Sequence, residues 1–351
     1  MTGETSPRPM LSSLLALGFE RSPDPVAASH AERVDRRTIR VSAARPAMGT
    51  LVTITALARS RARAEEAIGR AFEEMDRLIG ILSRFESGSA LSQLNHAGRL
   101  GSPPPELHHV LDRALRYHRT TRGVFDISVW PVLELFGARL GGPAPAPPSE
   151  ADVADALSRV GADRVSVSRR EVRFGGEGMA VTVDGIAKGY IVDRMARVLE
   201  GRRVRRYLID AGGDIRVSGR KEGGRPWSIG VRDPRRAGRL PDRIELTRGA
   251  VATSGSYERH FDPERRYHHI VDARAGRSPV ESESVTVLAP GAMAADALAT
   301  TLFIMPPAEA LAFVETQPAC ACLIIDRGGH MHRSRGWRSA APVHSEEVEL
   351  Q

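Results

Sequence analysis

From Arg164 onward the chain breaks into short β-type runs, RVSVS, VTV, RVRRYLID, DIRVSG, WSIGV, RIEL, SVTVLA and ACLIID. That recurrence constrains the fold more than any other feature. Runs of this kind, rich in β-branched residues and punctuated by glycine, read as strands, and so many of them require an extended sheet. The helical patterns are interspersed with the strands and do not alternate strictly, as a doubly wound parallel sheet would need. The expectation is therefore an α+β fold, a mixed and largely antiparallel sheet flanked by helices.

The helices are legible from spacing. Ile68, Phe72, Met75, Ile79 and Leu82 recur at three and four residues and form one apolar stripe. A second stripe, Leu107, Val110, Leu111 and Ala114, places a helix over Glu106 to Tyr117. After Lys188, Ile191, Met195, Val198 and Leu199 face inward, and Gly201 supplies a residue suited to a left-handed helix end. Ser89 stands where it can cap a short helix after the loop FESGS. The proline- and glycine-rich stretch at 139–150 is the candidate subdomain break within a domain spanning 44–333. Residues 1–43 show no sustained period and read as a mobile arm, with the first strand in GTLVTITALA, and 334–351 read as a polar tail.

Composition removes several function classes. The chain has 351 residues and a formal charge of +7, but only 5% aromatics. Its arginines are dispersed, so no platform of interleaved basic and aromatic residues exists for nucleic acid. No stretch reaches the roughly 18 consecutive apolar residues of a spanning helix, so no integral membrane segment is expected. A cytoplasmic location is the expectation, and a periplasmic one follows if Met10 to Phe19, MLSSLLALGF, acts as an export signal. The two cysteines, Cys320 and Cys322, fall on one face of an apolar strand and read as small core side chains.

Four segments carry chemistry. In MAADALATTLFIM, Asp296 and Thr300 are four apart and share a helical face, two oxygen donors suited to a hard cation such as Mg²⁺. The alternative is a helix charge beside a core-facing hydroxyl. VTVDGIAKGYIVD reads as a strand, a turn flanked by Gly185 and Gly189, and a helix bearing Lys188 near its anion-favouring start. The alternative there is an ordinary turn with a surface lysine. YLIDAGGDIRVSG reads as two strands around a Gly-Gly turn followed by Asp214. RYHHIVD places His268 and His269 on a strand facing opposite sides, so that one imidazole can enter a site, or both can be structural.

Together with MGT at 48–50, SRFESGSALSQLN at 83–95, GVFDISVWP at 123–131, and TSG at 253–255, these blocks stand in an order that resembles the ApbE family of FAD:protein FMN transferases. The resemblance runs from about Met48 to Asp326. It implies an ApbE-like fold and a Mg²⁺-dependent enzyme that moves FMN from FAD onto a threonine of an acceptor flavoprotein, in a motif of the Asp-Gly-x-Thr type, releasing AMP. Met48, Phe85, Val124, Phe125, Asp126, Thr182, Asp184, His269 and Ile270 would border the FAD. Lys188 would meet its phosphates. Asp296, Thr300 and the Gly185 carbonyl would hold Mg²⁺, and His269 would handle a proton. Catalysis would rest on His269, Asp296 and Lys188. The chain departs from the family in three places: Thr182 replaces a usual carboxylate, with Asp184 two residues later; Asp272-Ala273 replaces Asp-Pro; and the lipid-attachment cysteine seen near the start of many members is missing. An FAD pyrophosphatase and a non-catalytic flavin-binding protein are the rival readings.

Overall fold

The computed structural model describes residues 20–21, 28–141, 145–264 and 266–340. In chain order the strands are β1 (Glu20–Arg21), β2 (Ala28–Arg33), β3 (Ile39–Ala47), β4 (Thr50–Ala58), β5 (Arg99–Gly101), β6 (Val165–Val167), β7 (Glu171–Phe174), β8 (Tyr207–Ala211), β9 (Ile215–Ser218), β10 (Trp227–Val231), β11 (Asp242–Leu246), β12 (Arg248–Gly255), β13 (Ser282–Ala289), β14 (Ala321–Asp326) and β15 (Met331–Arg333). The helices are α1 (Arg61–Leu82), α2 (Ala90–Ala97), α3 (Pro105–Thr120), α4 (Trp130–Leu140), α5 (Glu150–Ser158), α6 (Asp184–Gly201), α7 (Ala292–Ile304) and α8 (Pro307–Val314). The α+β expectation holds.

Ten strands form one sheet in the order β1-β2-β3-β4-β8-β9-β12-β13-β14-β15, every neighbour antiparallel. One face carries the helices. Ala64, Ala67, Ile68, Ala71, Phe72, Met75, Leu78 and Leu82 of α1 are buried, and Ser60 caps the helix by accepting from Arg63 N. α7 is apolar on nearly every side and is buried along most of its length, as a helix without a polar face must be. The other face is covered by the β10–β11 hairpin, where Trp227, Ile229 and Ile244 pack with Val217, Val251, Leu323 and Trp337.

Several expectations are corrected. Strand 28–33 and the first part of strand 39–47 fall in the segment 1–43 read as an arm, because β3 pairs with both β2 and β4. Val181–Val183 is not a strand. The Asn95 side chain stands in for a partner strand, donating to Val181 O and accepting from Val181 N, both at 2.8 Å. The glycine-flanked turn of DGIAKG is the first turn of α6, kinked at Gly185. Gly201 ends α6, but the left-handed residue beyond it is Arg203. Cys320 precedes β14 and only Cys322 lies on it, both as free thiols. Beyond Arg333 the described chain is held to the hairpin layer, since Asp242 Oδ2 accepts from Trp337 Nε1 and Ser339 Oγ. Met10–Phe19 lies outside the described residues. Among the described residues no helix is long and apolar enough to cross a membrane.

Candidate functional site

The site is assembled where α6 meets α7. Gly189 makes that contact possible: a Cβ there would stand 2.2 Å from Ala292 O and 2.8 Å from Asp296 Cβ. Gly189, read from the sequence as the flank of a turn, thus serves the helix–helix approach. Asp193 of α6 completes the junction by accepting from Ala292 N and Met293 N, capping α7 from a neighbouring helix.

Asp296 and Thr300 lie on the α7 face turned toward α6. Gly189 N–H donates to Asp296 Oδ2 at 2.9 Å. The same corner therefore gathers the Asp296 carboxylate, the Gly185 backbone and Thr300, whose Oγ1 is 3.0 Å from where a Gly185 Cβ would sit. Ser254 Oγ of β12 is 3.5 Å from Thr300 Oγ1. Burial holds the Asp296 carboxyl well above the usual carboxylate range, and the nearby Asp214 charge adds to it. An oxygen-lined corner with a surplus of buried acid fits a hard divalent cation. No cluster of three His, Cys, Asp or Glu with metal-ligand geometry occurs among the described residues, so such an ion would rest on a single carboxylate with neutral oxygens.

Lys188 projects one turn along from Asp184. Its Nζ is 3.1 Å from Asp214 Oδ2, delivered by the β8–β9 turn, where Gly212 and Gly213 take φ of +68° and +100°. A Cβ at Gly212 would strike Thr50 Oγ1 at 2.3 Å, so only glycine lets this turn lie against β4. Asp214 raises the Lys188 pKa above its ordinary value, which keeps the ammonium charged. Burial raises Asp214, Asp210 and Glu258 above theirs. Lys188 is thus one cation among several acids, held by Asp214.

His268 and His269 do separate, though on irregular backbone and not on a strand. His268 is buried, donating from Nε2 to Pro279 O and accepting at Nδ1 from Ile270 N. His269 Nδ1 donates to Arg259 O at 3.0 Å, leaving Nε2 as an acceptor. Burial lowers its pKa to about 4, with the charges of Lys188 and Asp184 also acting on it. It is neutral at physiological pH.

The remaining predicted residues divide. Met48 takes φ +52° in the two-residue β3–β4 turn, an uncommon conformation for a side chain with a Cβ. Phe85 is 68% exposed. Val124, Phe125 and Ile270 are buried in the core and offer little open apolar surface. Asp126 is a structural acid: Oδ1 accepts from Ser128 N and Oγ, and Oδ2 from Ala162 N, with His118 Nδ1 at 3.2 Å. Its carboxylate oxygens are engaged within the protein. Thr182 Oγ1 accepts from Asp184 N, and Asp184 itself is held by Arg84. Sequence reasoning missed Arg84, Asp210 and Glu258, which no local pattern marks. Two surface hollows of about 540 and 570 Å³ lie elsewhere, the first between α1 and α6, the second beside His118 and Arg122.

The ApbE family profile matches residues 48–324, a span that contains every group just described. The chain belongs to the ApbE family. Among its curated relatives, the FAD:protein FMN transferase of Haemophilus influenzae is 31% identical over 70% of this chain and 74% of its own. That of Salmonella typhimurium is 27% identical over 91% of both. The crystal structure of the ApbE protein of Thermotoga maritima superposes with a TM-score of 0.77 at 31% identity, covering 84% of this chain and 97% of the other. The flavin transferase ApbE of Vibrio cholerae gives 0.71 at 28%, covering 88% and 98%. In this ApbE chain the family assignment and the α6–α7 junction therefore coincide.

Proposed function

We propose that this protein transfers FMN from FAD to a threonine of an acceptor flavoprotein, with Mg²⁺, releasing AMP. The observation that carries the reading is the junction itself: Asp296, Thr300 and Gly185 on one side, Lys188 on the other, and a neutral His269 nearby. Relatives bearing the transferase name support the chemistry.

Asp296, Thr300 and the Gly185 carbonyl would hold Mg²⁺, which when bound supplies charge neutralisation at the pyrophosphate. Lys188, kept charged by Asp214, adds a fixed cation for the phosphate oxygens. His269 Nε2 accepts the proton of the threonine hydroxyl as its oxygen bonds to the FMN phosphorus. The bond from that phosphorus to the bridging oxygen breaks, and AMP leaves with the electron pair. Positioning and electrostatics do most of the work in such a transfer. The acceptor motif is expected to be of the Asp-Gly-x-Thr type.

The test incubates the protein with FAD, Mg²⁺ and a peptide carrying that motif, and weighs the peptide. A mass gain of one FMN, with AMP in equal amount and none of either without Mg²⁺, is the expected result. Free FMN with an unmodified peptide would replace the transferase reading by FAD hydrolysis.

A further inference from the structure

The loop after α1 and the start of α4 build a column that the acid and phosphate groups do not use. The Arg84 guanidinium carbon lies 3.9 Å from the centroid of the Phe85 ring and 3.9 Å from that of Trp130. The guanidinium therefore lies against both rings at once. Its edge is fixed as well, because Nε donates to Asp184 Oδ2 at 2.9 Å and Nη2 pairs with the same oxygen at 2.8 Å. Arg84 is accordingly almost inaccessible, at 8% for its side chain, while Phe85 at the end of the column is 68% exposed. Asp184 is the first residue of α6, four before Lys188, and its charge reaches His269. The open ring face is therefore tied to the helix that carries the phosphate-binding lysine.

We propose that Trp130 and Arg84 are positioning residues for the flavin half of the substrate, holding the Phe85 ring as a rigid platform on which the isoalloxazine stacks. This rests on the FAD reading above, in which Phe85 borders the FAD; the new element is the pair of side chains that holds its ring. An exposed phenylalanine on a loop ordinarily loses rotamer freedom when it binds a ring, and that cost weakens the contact. Here the planar guanidinium stacks on its inner face and Asp184 fixes the guanidinium, so the ordering cost is already met in the free protein. The column also accounts for Asp184, whose carboxylate is bound to Arg84 and so is engaged in holding the loop, not in replacing the acid missing at Thr182.

The experiment measures the affinity of FAD, riboflavin and ADP for the wild type, Arg84→Lys, Trp130→Ala and Trp130→Phe, by flavin fluorescence and by calorimetry for ADP. Lysine keeps the charge and the reach to Asp184 but has no plane to stack. Arg84→Lys and Trp130→Ala are expected to weaken riboflavin and FAD alike, by roughly 3- to 10-fold, the scale of one aromatic contact. ADP should be unaffected, and Trp130→Phe should recover most of the loss. Thermal melts of each variant separate loss of the column from loss of the fold, and a variant that melts early is read at a temperature where it is folded. Unchanged riboflavin affinity in Arg84→Lys, or a loss that falls on ADP, overturns the proposal. Riboflavin binding that needs the column in a protein that does not turn over FAD would support the column and refute the transferase reading.

Discussion

At the scale of single residues, two imidazoles adjacent in sequence receive opposite assignments from their hydrogen bonds. His268 uses both ring nitrogens internally, whereas His269 uses one and keeps Nε2 for a ligand. Since burial lowers the His269 pKa to about 4, the group is unprotonated and competent as a base above that value and is lost as a base only as pH falls through it. Turnover should therefore show no limb attributable to histidine between pH 6 and 8. A pH profile of kcat with a limb near 6.5 that disappears in His269→Gln would contradict this. The Lys188–Asp214 pair makes a second prediction. Asp214→Asn keeps the side chain's size but removes the charge that holds Lys188 at 3.1 Å. We expect kcat to fall by about tenfold with little change in the KM for FAD, as a mispositioned cation costs more in the transition state than in the ground state. Steady-state kinetics at saturating Mg²⁺ would measure it.

At the scale of elements, the α6–α7 junction is set by one absent methyl group. Gly189→Ala would push a Cβ to within 2.2 Å of a backbone oxygen, and backbone does not yield as a side-chain tip would. The expected cost is about 3 kcal/mol, read as a lower urea midpoint with an unchanged m-value. How legible these elements were depended on whether their partners were local. α1, α3 and α6 declared themselves by spacing, and Asp296 with Thr300 by their four-residue separation, because a helix's own geometry brings such positions together. Val181–Val183 misled because β-branched alternation reports a preference for extended backbone, not the existence of a neighbouring strand, and here Asn95 supplies the bonds. The Arg84–Asp184 pair spans a hundred residues, and Asp214 reaches Lys188 from a different hairpin. Contacts of that kind carry no periodic signature, so the order of the family blocks gave the neighbourhood of the site but not its wiring.

At the scale of the whole molecule, Asp242 ties the C-terminal segment to the hairpin layer. Burial pushes its carboxyl up, but bonds from Ser339, Arg333, Arg243 N and Trp337 outweigh that and leave the pKa below the ordinary value. A depressed carboxylate contributes stability that is present above the unfolded pKa, near 3.9, and is lost as pH falls through the folded value. Asp242→Asn should thus cost about 2 kcal/mol at neutral pH, part of Arg333 being open to solvent, and progressively less toward pH 3. Melting curves of the two proteins, followed by tryptophan fluorescence, should converge in acid. Curves that stay parallel would assign the loss to shape and not to charge.

The pairing of β3 with β4, register by register from Ile39↔Ala58 to Ala47↔Thr50, has a consequence for which strand edge is covered. The family profile begins at Met48, at the tip of that hairpin. A chain cut there would keep every residue of the candidate site and yet leave β4, the apolar TLVTITALA, with a row of bare amide and carbonyl groups. Long flat strands of that composition recruit strands from other molecules. Light scattering of a protein begun at Met48 should show concentration-dependent association that the full chain does not, and charged substitutions at Thr53 and Thr55 should suppress it.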